Sequence, residues 1–437
     1  MFRSKVGDGG RGGRAGAPGQ GPGAVPGGGG GAGVDRRTVA KSAALAAALL
    51  LAGGGGLAQA RTAGDVTVRL PAPTGPYRIG LTTLYLVDGS RPDPWVPEIP
   101  VREVMVSVFY PARTVRDHPL APQMTEGAAG LFPQIDPAFH EGLPASGVHW
   151  AATMTHAHTG APAQAVRRPV LLYSPGGGDP RTVGTGVAEE LASRGYVVVT
   201  IDHPGDASEV EFPTTTAYRK EPFRTTVFRE DPRTDPQRFR TVIDTRIADT
   251  RFVLDQLEVL AAGRNPDAAG RPLPADLGRA LDLRRVGVYG HSAGGTTAAE
   301  TMYEDRRIDA AINLEGFLDH PPETPGEEGK LFPVAQYGVD RPLLLLGTDG
   351  FSYKQELERS WSAMLAHSRG CTRRRQLDNA THWVFTDYAA IVPQLQAAGL
   401  MTADNRIKLI GAIDPAESVP AVRHYVHAFF ARHLPSH

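Results

Sequence analysis

The stretch Val286-Gly287-Val288-Tyr289-Gly290-His291-Ser292-Ala293-Gly294-Gly295 constrains the fold of this chain more than any other. An apolar run stops at Gly-x-Ser-x-Gly, and Thr296-Thr297-Ala298-Ala299-Glu300 continues as helix-forming sequence. This is the pattern of a serine displayed on a sharp turn between a strand and a helix. Such a turn crowds the residues two before and two after the serine, so Gly290 and Gly294 must lack a β-carbon. The helix behind brings free N–H groups and its positive dipole end to the serine. In a chain with 51 glycines the motif alone is weak, and the strand before it gives it weight.

Similar apolar runs lie on either side. Pro169-Val170-Leu171-Leu172-Tyr173-Ser174 leads into Pro175-Gly176-Gly177-Gly178, and Tyr196-Val197-Val198-Val199-Thr200-Ile201 into Asp202-His203-Pro204-Gly205. Ile308-Asp309-Ala310-Ala311-Ile312-Asn313-Leu314 stops at Glu315-Gly316, and Pro342-Leu343-Leu344-Leu345-Leu346-Gly347 at Thr348-Asp349-Gly350. Helical patterns fall over residues 183–194, 240–262, 355–367 and 421–434, with the arginines and acids of 240–262 expected on a solvated face. The alternation predicts a mostly parallel central sheet with helices on both faces. Residues 61–110 are expected to add antiparallel strands, among them Val66-Thr67-Val68-Arg69-Leu70 and the run 104–110 stopped by Pro111. Residues 61–437 are read as one domain with irregular excursions near 112–168 and 206–235. In the first, 128–139 suits a short amphipathic helix or loop carrying Leu131, Phe132, Ile135 and Phe139.

The first sixty residues stand apart. Residues 1–34 are mostly Gly, Ala and Pro, which cannot bury a core and predict disorder. Asp35-Arg36-Arg37-Thr38-Val39-Ala40-Lys41 then precedes an apolar run over 43–52 and Ala58-Gln59-Ala60. A charged head, an apolar stretch too short for a bilayer and an Ala-x-Ala site predict a signal peptide, and the paired arginines resemble a twin-arginine export signal. An ordinary secretory signal or a retained anchor are the alternatives. Cleavage leaves a mildly acidic, secreted chain without a transmembrane segment. A net charge of −1 without a basic block argues against nucleic acid as a partner. Cys371 is the sole cysteine, so no internal disulfide forms, and its arginine-rich surroundings carry no thiol motif.

Serine is a poor nucleophile until a base takes its proton and a carboxylate orients that base. Ser292, an acid at a later strand end and His382 occur in the chain order of α/β-hydrolases. Among the other histidines, His291 belongs to the opposite pleat position, and His203 and His320 lie outside the C-terminal loop. His424, His427 and His433 ride a helix. The acid is open between Glu315 and Asp349; Asp349 follows the later strand, the usual position in this fold. Gly177 and Ala293 are the expected oxyanion donors, each backbone N–H contributing about 3 kcal/mol at the transition state. His156 and His158 have a spacing that metals use, yet lie in no recognisable metal motif and read as loop histidines. No metal and no cofactor are expected.

Several segments together resemble the platelet-activating factor acetylhydrolase family, in particular its bacterial secreted esterase and lipase branch. They are Gly75-Pro76-Tyr77-Arg78-Ile79-Gly80, Phe109-Tyr110-Pro111, Tyr173-Ser174-Pro175-Gly176-Gly177-Gly178 with Arg181-Thr182, Gly290-His291-Ser292-Ala293-Gly294-Gly295, and Thr381-His382 with Phe385-Thr386-Asp387. The resemblance implies an α/β-hydrolase fold and calcium-independent hydrolysis of short-acyl esters. It also moves the acid to Glu315, where the family usually has aspartate. Where the family has a Gly-Leu-Gly-like oxyanion loop, this chain has three glycines. The apolar patch around Leu131 and Phe132 lies near the family's interface-binding helix, implying transient contact with a lipid surface. The expected substrate is a small-molecule or lipid ester. A peptidase or polyester depolymerase on the same fold, or a non-catalytic binding homologue, are the rival readings.

Overall fold

The computed structural model describes residues 64–436, apart from 325 and 369. The expected disordered leader and export signal, residues 1–60, lie outside them. The strands are β1 (Ile79–Asp88), β2 (Arg102–Pro111), β3 (Leu120–Pro122), β4 (Met154–Thr159), β5 (Arg168–Ser174), β6 (Val197–Asp202), β7 (Glu209–Glu211), β8 (Phe223–Thr225), β9 (Leu281–His291), β10 (Ile308–Leu314), β11 (Leu343–Thr348) and β12 (Thr372–Leu377). The helices are α1 (Glu126–Ile135), α2 (Thr185–Ser193), α3 (Pro236–Ala261), α4 (Ala293–Glu304), α5 (Pro333–Tyr337), α6 (Lys354–His367), α7 (Tyr388–Ala397), α8 (Ala403–Ile410) and α9 (Pro415–His433).

Ten strands form one sheet in the order β12-β11-β10-β9-β5-β6-β2-β1-β4-β3, and β7 pairs separately with β8. From β12 to β6 every neighbouring pair is parallel. β2 turns antiparallel against β6, and β1 against β2. The apolar runs explain the layering. Along β5, Leu171 and Tyr173 face one core while Val170 and Leu172 face the other; in β11, Leu344 and Leu346 oppose Leu343 and Leu345. The first core packs against α2, α7 and α9, the second against α3, α4 and α6. Burial on both faces requires unbroken apolar strands, and the two cores hold them. This is the α/β-hydrolase architecture.

The expectations fail in identifiable places. Val66-Thr67-Val68-Arg69-Leu70 is not a strand; Val66 makes an isolated bridge to Val148, and Val68 and Leu70 bury in the first core. The segment 112–168 is less irregular than expected, because β4 joins the sheet parallel to β1. His156 and His158 therefore sit on a strand, and His156 meets the buried Glu189. Leu131 and Phe132 offer nothing to a lipid surface: they are 4% and 1% exposed, and Phe132 packs edge-on against Trp150. In α3, capped by Asp235, two charged residues assigned to solvent are buried, Arg246 and Asp249.

Candidate active site

β9 delivers Ser292 to a turn with φ 53° and ψ −122°, the residue immediately before α4. A side chain rarely adopts this backbone, and it persists because its surroundings admit nothing else. A β-carbon on Gly290 would overlap the Gly294 carbonyl oxygen, and one on Gly294 the Ser174 carbonyl oxygen. The Ser292 N–H donates to Leu314 O at 2.9 Å, which ties the turn to the end of β10. Ser292 remains partly exposed while His291 beside it is fully buried.

Glu315 follows β10, itself at φ 60°. Gly316 next to it must be glycine, since a β-carbon there would overlap the Ser292 carbonyl oxygen. Asn313 clasps Gly316 through both backbone groups, and Trp361 Nε1 donates to Gly316 O at 2.9 Å. The Glu315 carboxylate is fully buried and divided between two tasks. Oε1 accepts from Thr348 N at 2.5 Å and Thr348 Oγ1 at 2.7 Å, and Oε2 meets His382 Nδ1 at 2.8 Å. A carboxylate accepts, so Nδ1 carries a proton, and in the neutral imidazole that tautomer leaves the lone pair on Nε2. Phe351 stacks on the His382 ring at 4.5 Å, and His291 supports the loop by donating from Nε2 to His382 O at 2.9 Å. Asp349, the other candidate acid, is exposed and accepts the Ala380 N–H at 3.1 Å. It braces the loop leading to His382, and the carboxylate against His382 is that of Glu315.

Gly177 and Ala293 lie side by side: a β-carbon on Gly177 would sit 3.7 Å from that of Ala293. Both are partly exposed, whereas Gly176 and Gly178 are buried. Phe139, Phe317, Phe351 and Trp383 are also partly exposed around this surface.

A polar layer beneath the site carries no sequence motif. Ser174 Oγ lies 2.9 Å from His203 Nε2, and His203 Nδ1 lies 3.1 Å from Asp249 Oδ2, with all three side chains buried. Burial pushes the His203 imidazole down to about 4 despite Asp249, so it is neutral, donating to Asp249 and accepting from Ser174. A second layer joins Asp136, His140, Asp179 and His291. Burial pulls the His140 imidazole down, yet Asp136 and Asp179 hold it at about 9. Asp136, His140 and Asp179 are close enough to hold a metal ion, but the two ring nitrogens of His140 face different carboxylates, at 3.4 and 3.2 Å. That suits an imidazolium held between two carboxyl groups, with Asp179, despite its burial, kept well below the usual carboxylate range by the two histidines and Asp136 raised by burial. The sequence signal for both layers was faint: His203 follows a strand end, and Asp179 follows the glycine loop.

The family model described as platelet-activating factor acetylhydrolase, isoform II, matches residues 62–437. The chain belongs to that family. Among curated relatives, it is 28% identical over 385 residues to a probable 1-alkyl-2-acetylglycerophosphocholine esterase of Arthroderma benhamiae, covering 83% of this chain and 87% of that one. It is 23% identical over 289 residues to the platelet-activating factor acetylhydrolase of Gallus gallus, covering 61% of this chain and 62% of the chicken protein. Among solved structures, a ferulic acid esterase from Streptomyces cinnamoneus superposes with a TM-score of 0.63 at 34% identity, over 86% of this chain and 94% of the other. The acetylhydrolase family and this esterase neighbour make the chain a carboxylic-ester hydrolase. Among the described residues no helix is long and apolar enough to cross a membrane.

Proposed function

We propose that this acetylhydrolase-family protein is an exported serine esterase with Ser292 as nucleophile, His382 as general base and Glu315 as the orienting acid. The observation that carries the reading is the 2.8 Å contact from His382 Nδ1 to buried Glu315, with the His382 ring 4.4 Å from that of His291, the neighbour of the partly exposed Ser292 on its strained turn. His382 Nε2 takes the Ser292 hydroxyl proton as Oγ attacks the ester carbonyl. The tetrahedral oxyanion lies between the N–H groups of Gly177 and Ala293. The intermediate collapses, His382 returns the proton to the leaving alcohol, and an acyl group remains on Ser292. Water, deprotonated by His382, then attacks the acyl carbonyl, releases the acid and restores the hydroxyl.

Short-acyl phospholipid esters are the proposed substrates, supported by the family and by the name of the Arthroderma relative. A second reading takes aromatic acyl esters. It is supported by the partly exposed Phe317 and Phe351 beside His382 and by the ferulic acid esterase neighbour. The leader sequence supports export, with twin-arginine passage as the proposed route. Ser292→Ala is expected to lower turnover of p-nitrophenyl acetate by more than about 10⁴-fold and to abolish fluorophosphonate labelling. Unchanged turnover in that variant overturns the mechanism. A series of p-nitrophenyl esters, acetyl to lauroyl plus hydroxycinnamoyl, separates the two substrate readings by kcat/KM.

A further inference from the structure

Arg246 is a charged residue at the middle of α3, 1% exposed, with both of its terminal nitrogens aimed at one loop. Nη1 donates to Pro175 O at 2.5 Å and, more weakly, to Ser174 Oγ at 3.3 Å. Nη2 donates to Gly176 O at 2.7 Å. Nε pairs with Asp206 Oδ2 at 2.5 Å, and the other oxygen of Asp206 accepts the Gly178 N–H at 2.8 Å. One buried ion pair thus grips the backbone on both sides of Gly177 and leaves the Gly177 N–H itself alone.

The peptide unit gives this grip a direction. Gly176 C=O and Gly177 N–H belong to the same planar trans amide and point opposite ways. Fixing the carbonyl on Arg246 therefore turns the N–H away from α3. Gly177 is the partly exposed residue of the loop and adjoins Ala293, so that N–H faces the substrate surface. The turn bond from Asp179 N to Gly176 O, 3.2 Å long, holds the same carbonyl less tightly. Glycines at 176, 177 and 178 impose little preference on these planes, so the guanidinium must supply the order. The layer behind it completes the support: neutral His203, fixed by Asp249, accepts a hydrogen bond from the Ser174 hydroxyl and leaves the Ser174 oxygen to accept from Arg246. Stability alone is a weak reason to bury such a pair, because apolar residues of similar volume often serve as well.

We propose that Arg246, anchored by Asp206, is a positioning residue that orients the Gly177 N–H as an oxyanion donor; this rests on the serine-esterase reading above. Its test measures kcat, KM, melting temperature and affinity for an aryl trifluoromethyl ketone, which forms a hemiketal oxyanion on the nucleophile. Arg246→Met is expected to lower kcat by about 10²-fold, near the loss of one oxyanion donor, with KM within about threefold. Ketone affinity should fall in parallel. Arg246→Lys, which keeps the charge and some of the donors, should restore part of the loss. Asp206→Asn, which keeps an acceptor for Gly178 but unpairs the guanidinium, should fall between. If Arg246→Met does not fold, the lysine and asparagine variants decide. Folded variants with parental kcat and ketone affinity overturn the clamp. Ser292→Ala separates the two levels: persistent turnover there sinks the serine mechanism itself, whereas Ser292-dependent turnover at full rate in the Arg246 variants sinks only the clamp.

Discussion

Glu315→Gln changes one carboxylate oxygen to an amide nitrogen in a pocket that dictates which way the new group faces. Oε1 receives two donors from Thr348, at 2.5 and 2.7 Å, so the amide oxygen must remain there. The amide NH₂ then falls where Oε2 met His382 Nδ1 at 2.8 Å. A donor at that point requires Nδ1 to accept, which moves the imidazole proton to Nε2 and removes the lone pair that would take the serine proton. The equivalent asparagine substitution in a serine protease lowers kcat about 10⁴-fold through this wrong tautomer. At about 1.36 kcal/mol per tenfold, the expected barrier increase is about 5.4 kcal/mol. Shape and the Thr348 bonds survive, so the melting temperature should change by only a few degrees. Steady-state hydrolysis of p-nitrophenyl acetate, with melting followed on the same samples, is the assay. Asp349→Asn is the control: its exposed side chain serves the Ala380 N–H, and kcat should stay within about threefold of the parent. If Glu315→Gln keeps more than about a tenth of kcat while folded Asp349→Asn loses orders of magnitude, the assignment of the acid is wrong.

Two further expectations concern the scaffold. Gly294→Ala drives a β-carbon into the carbonyl oxygens of Ser174 and Pro175, so it should destabilise by more than about 3 kcal/mol or prevent folding, as read by denaturant unfolding. Asp387 is buried after the His382 loop, accepting from Gly186 N and Gln123 Nε2, and burial raises its carboxyl to about 7. A folded value above the ordinary 3.8 means that its stability contribution is full below pH 4 and is lost as pH rises through about 7. Asp387→Asn mimics the protonated acid throughout, so its melting temperature should fall less between pH 4 and 8 than that of the parent. Equal slopes in the two proteins refute this account.

The elements facing apolar surroundings on both sides were legible in sequence, because a doubly buried parallel strand can only be a run of Val, Ile, Leu and Ala. The Ser292 turn was legible for a steric reason, since its two glycines have no substitute. Glu315 was harder: from residue type and strand order Asp349 ranked above it, and family resemblance reversed the order. Its carboxylate reaches His382 from a left-handed backbone held by Asn313 and Trp361, contacts that no local pattern encodes. Charge misled elsewhere. Arg246 and Asp249 sit on α3 among other arginines and acids, and only tertiary packing distinguishes them from solvated neighbours such as Asp255 and Glu258. β12 also escaped notice, because Thr372-Arg373-Arg374-Arg375-Gln376-Leu377 shows no apolar alternation.

That same arginine run bears on how readily the edge of a ten-stranded sheet pairs with a second chain. Among the described residues β12 is the last strand of its edge, with β11 on one side and no strand on the other; the Thr372 N–H is taken by Ser368 Oγ. Such an edge is a template for any second chain that arrives extended. Arg373 and Arg375 are largely solvated there, while Arg374 is drawn back by Glu358 at 2.6 and 2.7 Å. A second molecule docking edge to edge would set arginine against arginine and desolvate them. At the opposite margin, β3 has only three residues and ends in Pro122, which has no N–H to offer. One margin sets like charge against like and the other gives almost nothing to grip, so among the described strands neither margin invites a further one.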